Sequence, residues 1–145
     1  MRSENLRALL EPVFGPVSDH LVRDFLQVRA DHAASTLERG SPGKFVEGFV
    51  QALQYASSGE YQEKPDVEGF LTRRAENTNL PEGLRVIAPR VARAIYALRS
   101  KRSIAHKNEI DPNEADLAHI HASASWIMSE MLRHVSGSSM GRLPN

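Results

Sequence analysis

Residues 111–135, which read DPNEADLAHIHASASWIMSEMLRHV, decide the fold class of this chain. The stretch opens on a helix-start signature: Asp111 can cap the helix, a proline follows at the first helical position, and Glu114 stands three residues after the cap. Apolar side chains then recur every three or four positions, at Leu117, Ile120, Ala124, Ile127, Met131 and Val135. This spacing predicts a long amphipathic helix that runs to Val135.

The same spacing extends outward from this helix through the rest of the chain. Strict alternation of apolar and polar residues, which would indicate strands, is nearly absent. The other predicted helices are a short piece over 5–10 that ends before Pro12, a helix of about twenty residues from Ser18–Asp19 to Arg39, a helix from Ser41 that frays at 57–59, a short helical segment from Pro65, and a helix over 90 to about 103. We predict an all-α, single-domain helical bundle of about five or six helices. The domain would cover 1–135 and a disordered C-terminal tail 136–145.

Pro89 stands at the start of the predicted helix over 90–103. An interior proline removes a backbone hydrogen bond and clashes with the preceding turn, so Pro89 must either kink this helix or begin its regular part. The predicted apolar face comprises Leu84, Ile87, Val91, Ile95 and Leu98.

Length and composition restrict the function. A chain of 145 residues matches one domain with its own core. Its 18 basic residues balance its 18 acidic ones, so no strong overall positive field attracts nucleic acid. The absence of cysteine excludes disulfides, thiol nucleophiles and thiolate metal sites. No long apolar run or signal-like leader is present, so we expect a soluble cytoplasmic protein without a membrane partner.

One stretch departs from this neutral balance. Residues 83–108 carry seven basic residues and no acidic one: Arg85, Arg90, Arg93, Arg99, Lys101, Arg102 and Lys107. Repulsion among Arg99, Lys101, Arg102 and Lys107 should keep this stretch receptive to an anion. We therefore expect any anion-binding site of this chain to lie in a basic stretch such as this one, and not to result from the charge of the whole molecule.

Arg99 and His106 form the centre of this stretch. On a continuous helix, seven positions bring a side chain back to nearly the same face, displaced by roughly 10 Å, and Arg102 lies between the two. If the helix breaks near Ser103, a loop can fold His106 back even closer. Arginine offers a fork of donors for phosphate oxygens, and histidine exchanges protons near neutral pH. The pair suits cleavage of an RNA phosphodiester; the alternative is a solvated basic helix face on which His106 meets the negative end of the helix dipole.

The segment Leu98–His106, followed by Asp111–Asp116 and by a helix end over Trp126–Arg133, resembles the HEPN superfamily, most closely the branch found in abortive-infection proteins. The resemblance covers roughly residues 84–135. It implies a small all-helical domain that carries an R-x4-6-H motif between its last helices. Many HEPN domains are metal-independent ribonucleases that act as dimers, in toxin–antitoxin or phage-defence systems.

The resemblance also assigns roles to single residues. Arg99 would stabilise the phosphate charge, and His106 would transfer protons as the RNA 2′-hydroxyl attacks the adjacent phosphorus. The products would be a 2′,3′-cyclic phosphate and a 5′-hydroxyl, with Ser100, Arg102 and Lys107 binding the substrate. One histidine per motif implies a homodimer that brings two motifs together. RNA, a second copy and an antitoxin or regulatory protein are the expected partners, and no cofactor or metal is expected.

Two other functions stay open from the sequence. Ser100 follows the motif arginine where the family commonly has Asn or another strongly polar group. Together with the zero net charge, this favours a catalytically inactive HEPN module that binds RNA, a nucleotide or a protein partner. A helical interaction protein whose basic ridge binds an acidic partner is the third possibility.

Several residues of the last helix admit more than one interpretation. His119 and His121 are two positions apart and point to nearly opposite faces, without a carboxylate at the spacing that would complete a metal site. Trp126 is interpreted as a core residue or the anchor of a dimer contact rather than a platform for base stacking. Asp116 would favour the positive end of its helix or orient His106 or Arg99.

Two histidines of the second predicted helix are given structural interpretations. His20, four residues before Asp24, is predicted to form an ordinary helix-surface pair. His32 lies on an apolar row and is predicted to be a buried histidine with a satisfied hydrogen bond.

Overall fold

The computed structural model describes residues 2–35, 41–73, 79–101 and 114–140, with only the backbone of 99–101 and 138–140. The helices are α1 (Ser3–Phe14), α2 (Val17–Ala33), α3 (Ser41–Ser58), α4 (Val67–Thr72), α5 (Ala88–Lys101) and α6 (Glu114–Met140), with a π-helical turn over Gly83–Ile87 directly before α5. No strand occurs in these four ranges. The prediction of a small all-α helical bundle is confirmed.

The long helices α2, α3, α5 and α6 build the bundle. α2 packs against α3 and α6, and α5 packs against the same two helices from the diagonally opposite corner. α2 and α3 run antiparallel, because His20 contacts Gln51 at one end of the pair and Asp31 contacts Ser41 at the other. α1 packs across α2, α3 and α6, while α4 lies against α3 and α5.

The predicted catalytic segment joins two helices at one end of this bundle. Ser35, just after α2, donates a hydrogen bond to Glu114 at the start of α6. Gly83, before α5, lies against Glu130 in the second half of α6, so α5 and α6 are antiparallel. Lys101 and Glu114 therefore lie at the same end. We call this end, formed by the last turns of α2 and α5 and the first turns of α3 and α6, the upper end.

One apolar core joins the helices. Phe14, Phe45 and Phe49 are its largest fully buried side chains. α3 contributes more than one face to this core because it contacts α1, α2, α4 and α5. Burial of one such aromatic side chain stabilises the fold by about 1.5–3 kcal/mol, before the cost of chain ordering.

Three predicted helix boundaries in the first third of the chain are wrong. α1 continues through Pro12 to Phe14, because burial of Leu10 and Phe14 together offsets the roughly 3 kcal/mol cost of a helical proline. α2 begins at Val17, so Ser18 is a buried residue inside the helix and not its cap. It ends at Ala33, well before the predicted Arg39, since Ser35 adopts a positive φ of 55°. Residues 36–40 lie outside the described ranges.

The turn before Pro89 shows how the chain accommodates this proline at the start of a helix. Pro89 lies in the first turn of α5, and the turn that precedes it is π-helical. A wider turn moves the carbonyl of Arg85 away from the proline ring, which would otherwise clash with it. The extra residue also shifts the register, so Ile87, predicted to be on the apolar face, is 41% exposed. Leu84 and Ile95 are buried as predicted.

The later helix boundaries agree with the sequence signals, with one exception. α3 begins at Ser41 and ends at Ser58, before a Gly59 with φ of 79°. Asp66 accepts a hydrogen bond from the backbone N–H of Gly69 and caps α4. α6, however, continues to Met140, so residues 136–140 are helical and not part of a disordered tail. Among the described helices, none has the length and apolar character needed to span a bilayer.

Candidate functional site

The predicted catalytic segment begins in the last turn of α5. Arg99 and Ser100 belong to this turn, where the structure describes the backbone alone. Arg102, His106 and Lys107 lie outside the described residues. The geometry between arginine and histidine therefore stays a prediction, and the described residues give its surroundings at the upper end.

The described part of α5 has a buried side and a solvated side. Ala92 and Ile95 are fully buried. Arg90 and Arg93 are exposed, so this part of the helix presents basic side chains to solvent.

Two carboxylates at the upper end are buried. Asp31, which is 4% exposed, accepts hydrogen bonds from Gln27 Nε2 at 2.8 Å and from Ser41 Oγ at 2.7 Å. Asp116, which is 9% exposed, lies in the first turn of α6. Aspartate is rarely buried to this extent without partners. The upper end therefore holds two buried acidic side chains, one in the last turn of α2 and one in the first turn of α6.

A histidine pair joins α2 to α6 near the same end. The rings of His32 and His121 are stacked, with centroids 4.8 Å apart and planes inclined by 20°. Both side chains are half-buried, so the prediction of a buried His32 is only partly correct. No local pattern reveals this pair, because its members lie on helices far apart in the sequence.

The surroundings of His121 favour its neutral form. Burial is the main cause that lowers the pKa of its imidazole, and the positive charges of His32 and Arg29 lower it further. Arg29 is exposed one turn before His32. Arg29 is positively charged, and His32 and His121 become positively charged when they are protonated. These three groups lie together beside the start of α6.

A polar cleft between α2 and α3 is a second concave feature. It has a volume of about 470 Å³, and its walls include His20, Asp24, Lys44, Gln51 and Tyr61. The amide nitrogen of Gln51 donates to the carbonyls of residues 62 and 63. Its Oε1 is therefore the acceptor for His20 Nε2–H, at 2.7 Å, which leaves Nδ1 of this histidine as an acceptor when the ring is neutral. The predicted pair of His20 and Asp24 is not at the surface, because Asp24 is only 8% exposed. His20 acts on Asp24 electrostatically, while its hydrogen bond is to Gln51.

Ionisation of the buried Asp24 lowers the free energy of unfolding, and this effect depends on pH. Burial raises the pKa of its carboxyl, although Arg23, His20 and Lys44 act in the opposite direction. The unfolded chain releases this proton near pH 3.9 and the folded chain only at higher pH, so ionisation favours unfolding once the pH passes the unfolded value. We expect Asp24→Asn to raise the free energy of unfolding at pH 7 and to lose this advantage near pH 3, as measured by urea denaturation.

The control for this prediction is Glu47→Gln, the same chemical change at a less buried residue of the same cleft. It should alter stability little at either pH. A destabilised Asp24→Asn at pH 7 would show that the ion pairs outweigh burial at this site.

A smaller cavity lies beside the π-helical turn. Its volume is about 340 Å³, and Gly83, Leu84, Glu130, Arg133 and His134 contribute to its walls. Burial lowers the pKa of His134, whose ring lies 6.4 Å from that of Phe14. Glu130 pairs with Arg133 at 3.4 Å. This cavity is at the opposite end of α6 from the predicted motif.

Metal ligands and the lone tryptophan were also considered at the sequence level. Within the described ranges, no group of three or more His, Asp or Glu side chains could hold a metal ion. His119 is exposed while His121 is half-buried. Trp126 is 37% exposed, so it is not a core residue, and its role as a dimer anchor stays a prediction.

Comparisons with protein-family models, with curated proteins and with solved structures found no match for this chain. Its function must be inferred from the sequence motif and the residues around it.

Proposed function

We propose that this protein is a metal-independent endoribonuclease of the HEPN type, a toxin or phage-defence effector that cleaves RNA with Arg99 and His106 in a cleft shared by two copies. The motif between α5 and α6, the last two helices, supports this function. RNA and a second copy of the chain are its proposed partners, and an antitoxin or regulatory protein would control it.

The observation that carries the proposal is that the last turn of α5 and the first turn of α6 lie at the same end of the bundle. The segment with Arg99 and His106 joins these two turns in the sequence. The first turn of α6 holds the buried carboxylate of Asp116, and a carboxylate at this position can orient the arginine of the motif towards a phosphate.

In the proposed reaction, an unprotonated His106 accepts the proton of the RNA 2′-hydroxyl as its oxygen bonds to the adjacent phosphorus. The bond between phosphorus and the 5′-oxygen breaks, and that oxygen takes a proton from the protonated His106 of the second copy. Arg99 offsets the negative charge that builds up on the phosphorane oxygens. The chemistry yields a 2′,3′-cyclic phosphate and a 5′-hydroxyl, with no step that needs a metal.

A catalytically inactive HEPN module is the second candidate function. Ser100, which is shorter than the asparagine common in the family, and the zero net charge of the chain favour it. Such a module would bind RNA, a nucleotide or a protein without cleavage.

The test of the proposed function is incubation of purified protein with bulk RNA in EDTA, followed by analysis of the product ends. We expect cyclic phosphates from the wild type and a loss of about 10²–10³-fold in rate for Arg99→Ala. The matched control is Arg93→Ala on the exposed side of the same helix, which should keep nearly full activity. RNA binding without cleavage by the wild type would favour the inactive module.

A further inference from the structure

We propose that Arg29, His32 and His121 form a phosphate-binding site that extends the RNA-binding surface from α5 across the start of α6 onto α2. The inference rests on the proposed function for the identity of the ligand as RNA. The anion site itself follows from the described side chains.

The first argument is the convergence of donors. The stacked imidazoles of His32 and His121 are half-buried and remain accessible from solvent. Arg29 is exposed one turn before His32 on α2 and is close enough to act electrostatically on His121. Each of the three side chains can donate N–H bonds to a phosphate oxygen. They come from two helices, so the packing of α2 on α6 fixes their mutual geometry.

The second argument is the local charge. The carboxylates of Asp31 and Glu114 keep their negative charge because the donors that bind them are neutral, and their hydrogen bonds orient them towards Gln27, Ser41 and Ser35. Arg29 and the two histidines can together carry up to three positive charges. Burial is the main cause that lowers the pKa of His121, and a phosphate at this position would offset the second cause, the repulsion from His32 and Arg29, and so favour protonation of this ring.

The geometry also distinguishes an anion from a metal ion. Nitrogen lone pairs lie in the plane of an imidazole ring, so two nearly parallel rings 4.8 Å apart hold their lone pairs in two separate, nearly parallel planes. A metal needs nitrogens that converge at about 2.0–2.1 Å from one point. A phosphate presents several oxygens and can accept from two parallel edges at once.

The position relative to α5 makes RNA backbone the ligand that fits. α2 and α5 both end at the upper end, on opposite flanks of α6. With neighbouring helix axes about 8–10 Å apart, the diagonal corners of the bundle are within reach of a few successive nucleotides. One strand can therefore contact the last turn of α5 and the histidine pair together.

The experiment measures binding of a fluorescent single-stranded RNA by anisotropy, in a His106→Ala background that prevents cleavage. We expect Arg29→Gln to weaken binding by about tenfold and to reduce the slope of log K against log salt by about 0.7. The matched control is Arg23→Gln, an exposed arginine on the same helix, which should bind like the parent. Equal affinities for the two variants would overturn the inference while leaving the proposed cleavage intact.

A second readout separates the anion site from the RNase. Inorganic phosphate alone should raise the NMR-measured pKa of His121, and RNA binding should tighten between pH 7.5 and 5.5 unless both histidines are replaced by Gln. An unchanged pKa of the His121 imidazole in phosphate would refute the site. A phosphate response in a protein that neither cleaves nor binds RNA would refute the proposed function alone.

Discussion

His106→Ala is expected to lower the rate of RNA cleavage by about 10²–10⁴-fold, because it removes the group that moves the proton in both halves of the reaction. RNA affinity should change much less, since arginine and lysine supply the contacts to the phosphate backbone. The measurement is a single-turnover cleavage rate at saturating protein, with binding followed separately. His119→Ala, which removes an exposed histidine from α6, is the matched control and should cleave like the wild type.

The proposed composite cleft makes a sharper form of this prediction. If one His106 acts as the base and another as the acid, the cleavage rate should be bell-shaped in pH. Purified heterodimers with one wild-type and one His106→Ala copy should retain far less than half of the activity. Half of the activity in these heterodimers would mean that each copy has an independent site, and a monomer in light scattering that still cleaves would exclude the shared cleft.

Gly15→Ala is expected to destabilise the fold by about 2–5 kcal/mol, the largest effect on stability that we predict. Gly15 joins α1 to α2 with φ of 55° and ψ of −137°, a conformation that side-chain-bearing residues rarely adopt. A Cβ at this position would also overlap the ring of Tyr55 on α3. Natural domains have only about 5–15 kcal/mol of stability, so urea denaturation should show a much lower midpoint.

Gly59→Ala is the control that separates the steric overlap with Tyr55 from the strain of a positive φ. Gly59 also has a positive φ, of 79°, but a Cβ there would meet nothing within 4 Å. Gly59→Ala should therefore lose only the unfolding free energy that backbone strain costs, about 1–3 kcal/mol. In the double variant Gly15→Ala, Tyr55→Ala the ring is absent. Its loss of unfolding free energy should therefore be smaller than the sum of the losses in the two single variants. Equal losses for Gly15→Ala and Gly59→Ala would show that the Tyr55 ring moves aside without cost.

The helices of this chain could be predicted because their signals are local. The start of α3 at Ser41 and its end before Gly59 follow from capping and turn residues that act within one turn. The errors arise where distant contacts override such signals. Burial of Phe14 carries α1 through Pro12, and the π-helical turn before Pro89 exposes Ile87.

The candidate site also combines features that the sequence predicts with features that depend on tertiary packing. The motif of Arg99 and His106 is a pattern of neighbouring residues, so the sequence alone identifies it and predicts its chemistry. The burial of Asp116 and the stacking of His32 on His121 depend on how α2, α5 and α6 pack. No local period encodes these contacts, because each joins residues that become neighbours only when their helices share a core.

Sequence by itself therefore determined the all-α class, most of the helices and the basic segment that is proposed to act on RNA, since propensity, capping and charge are properties of adjacent residues. Only the tertiary structure decided that acidic side chains lie inside the upper end and that Arg29 and two histidines meet beside the start of α6. The physical reason is that burial and charge repulsion depend on distances in space, which packing of the helices sets.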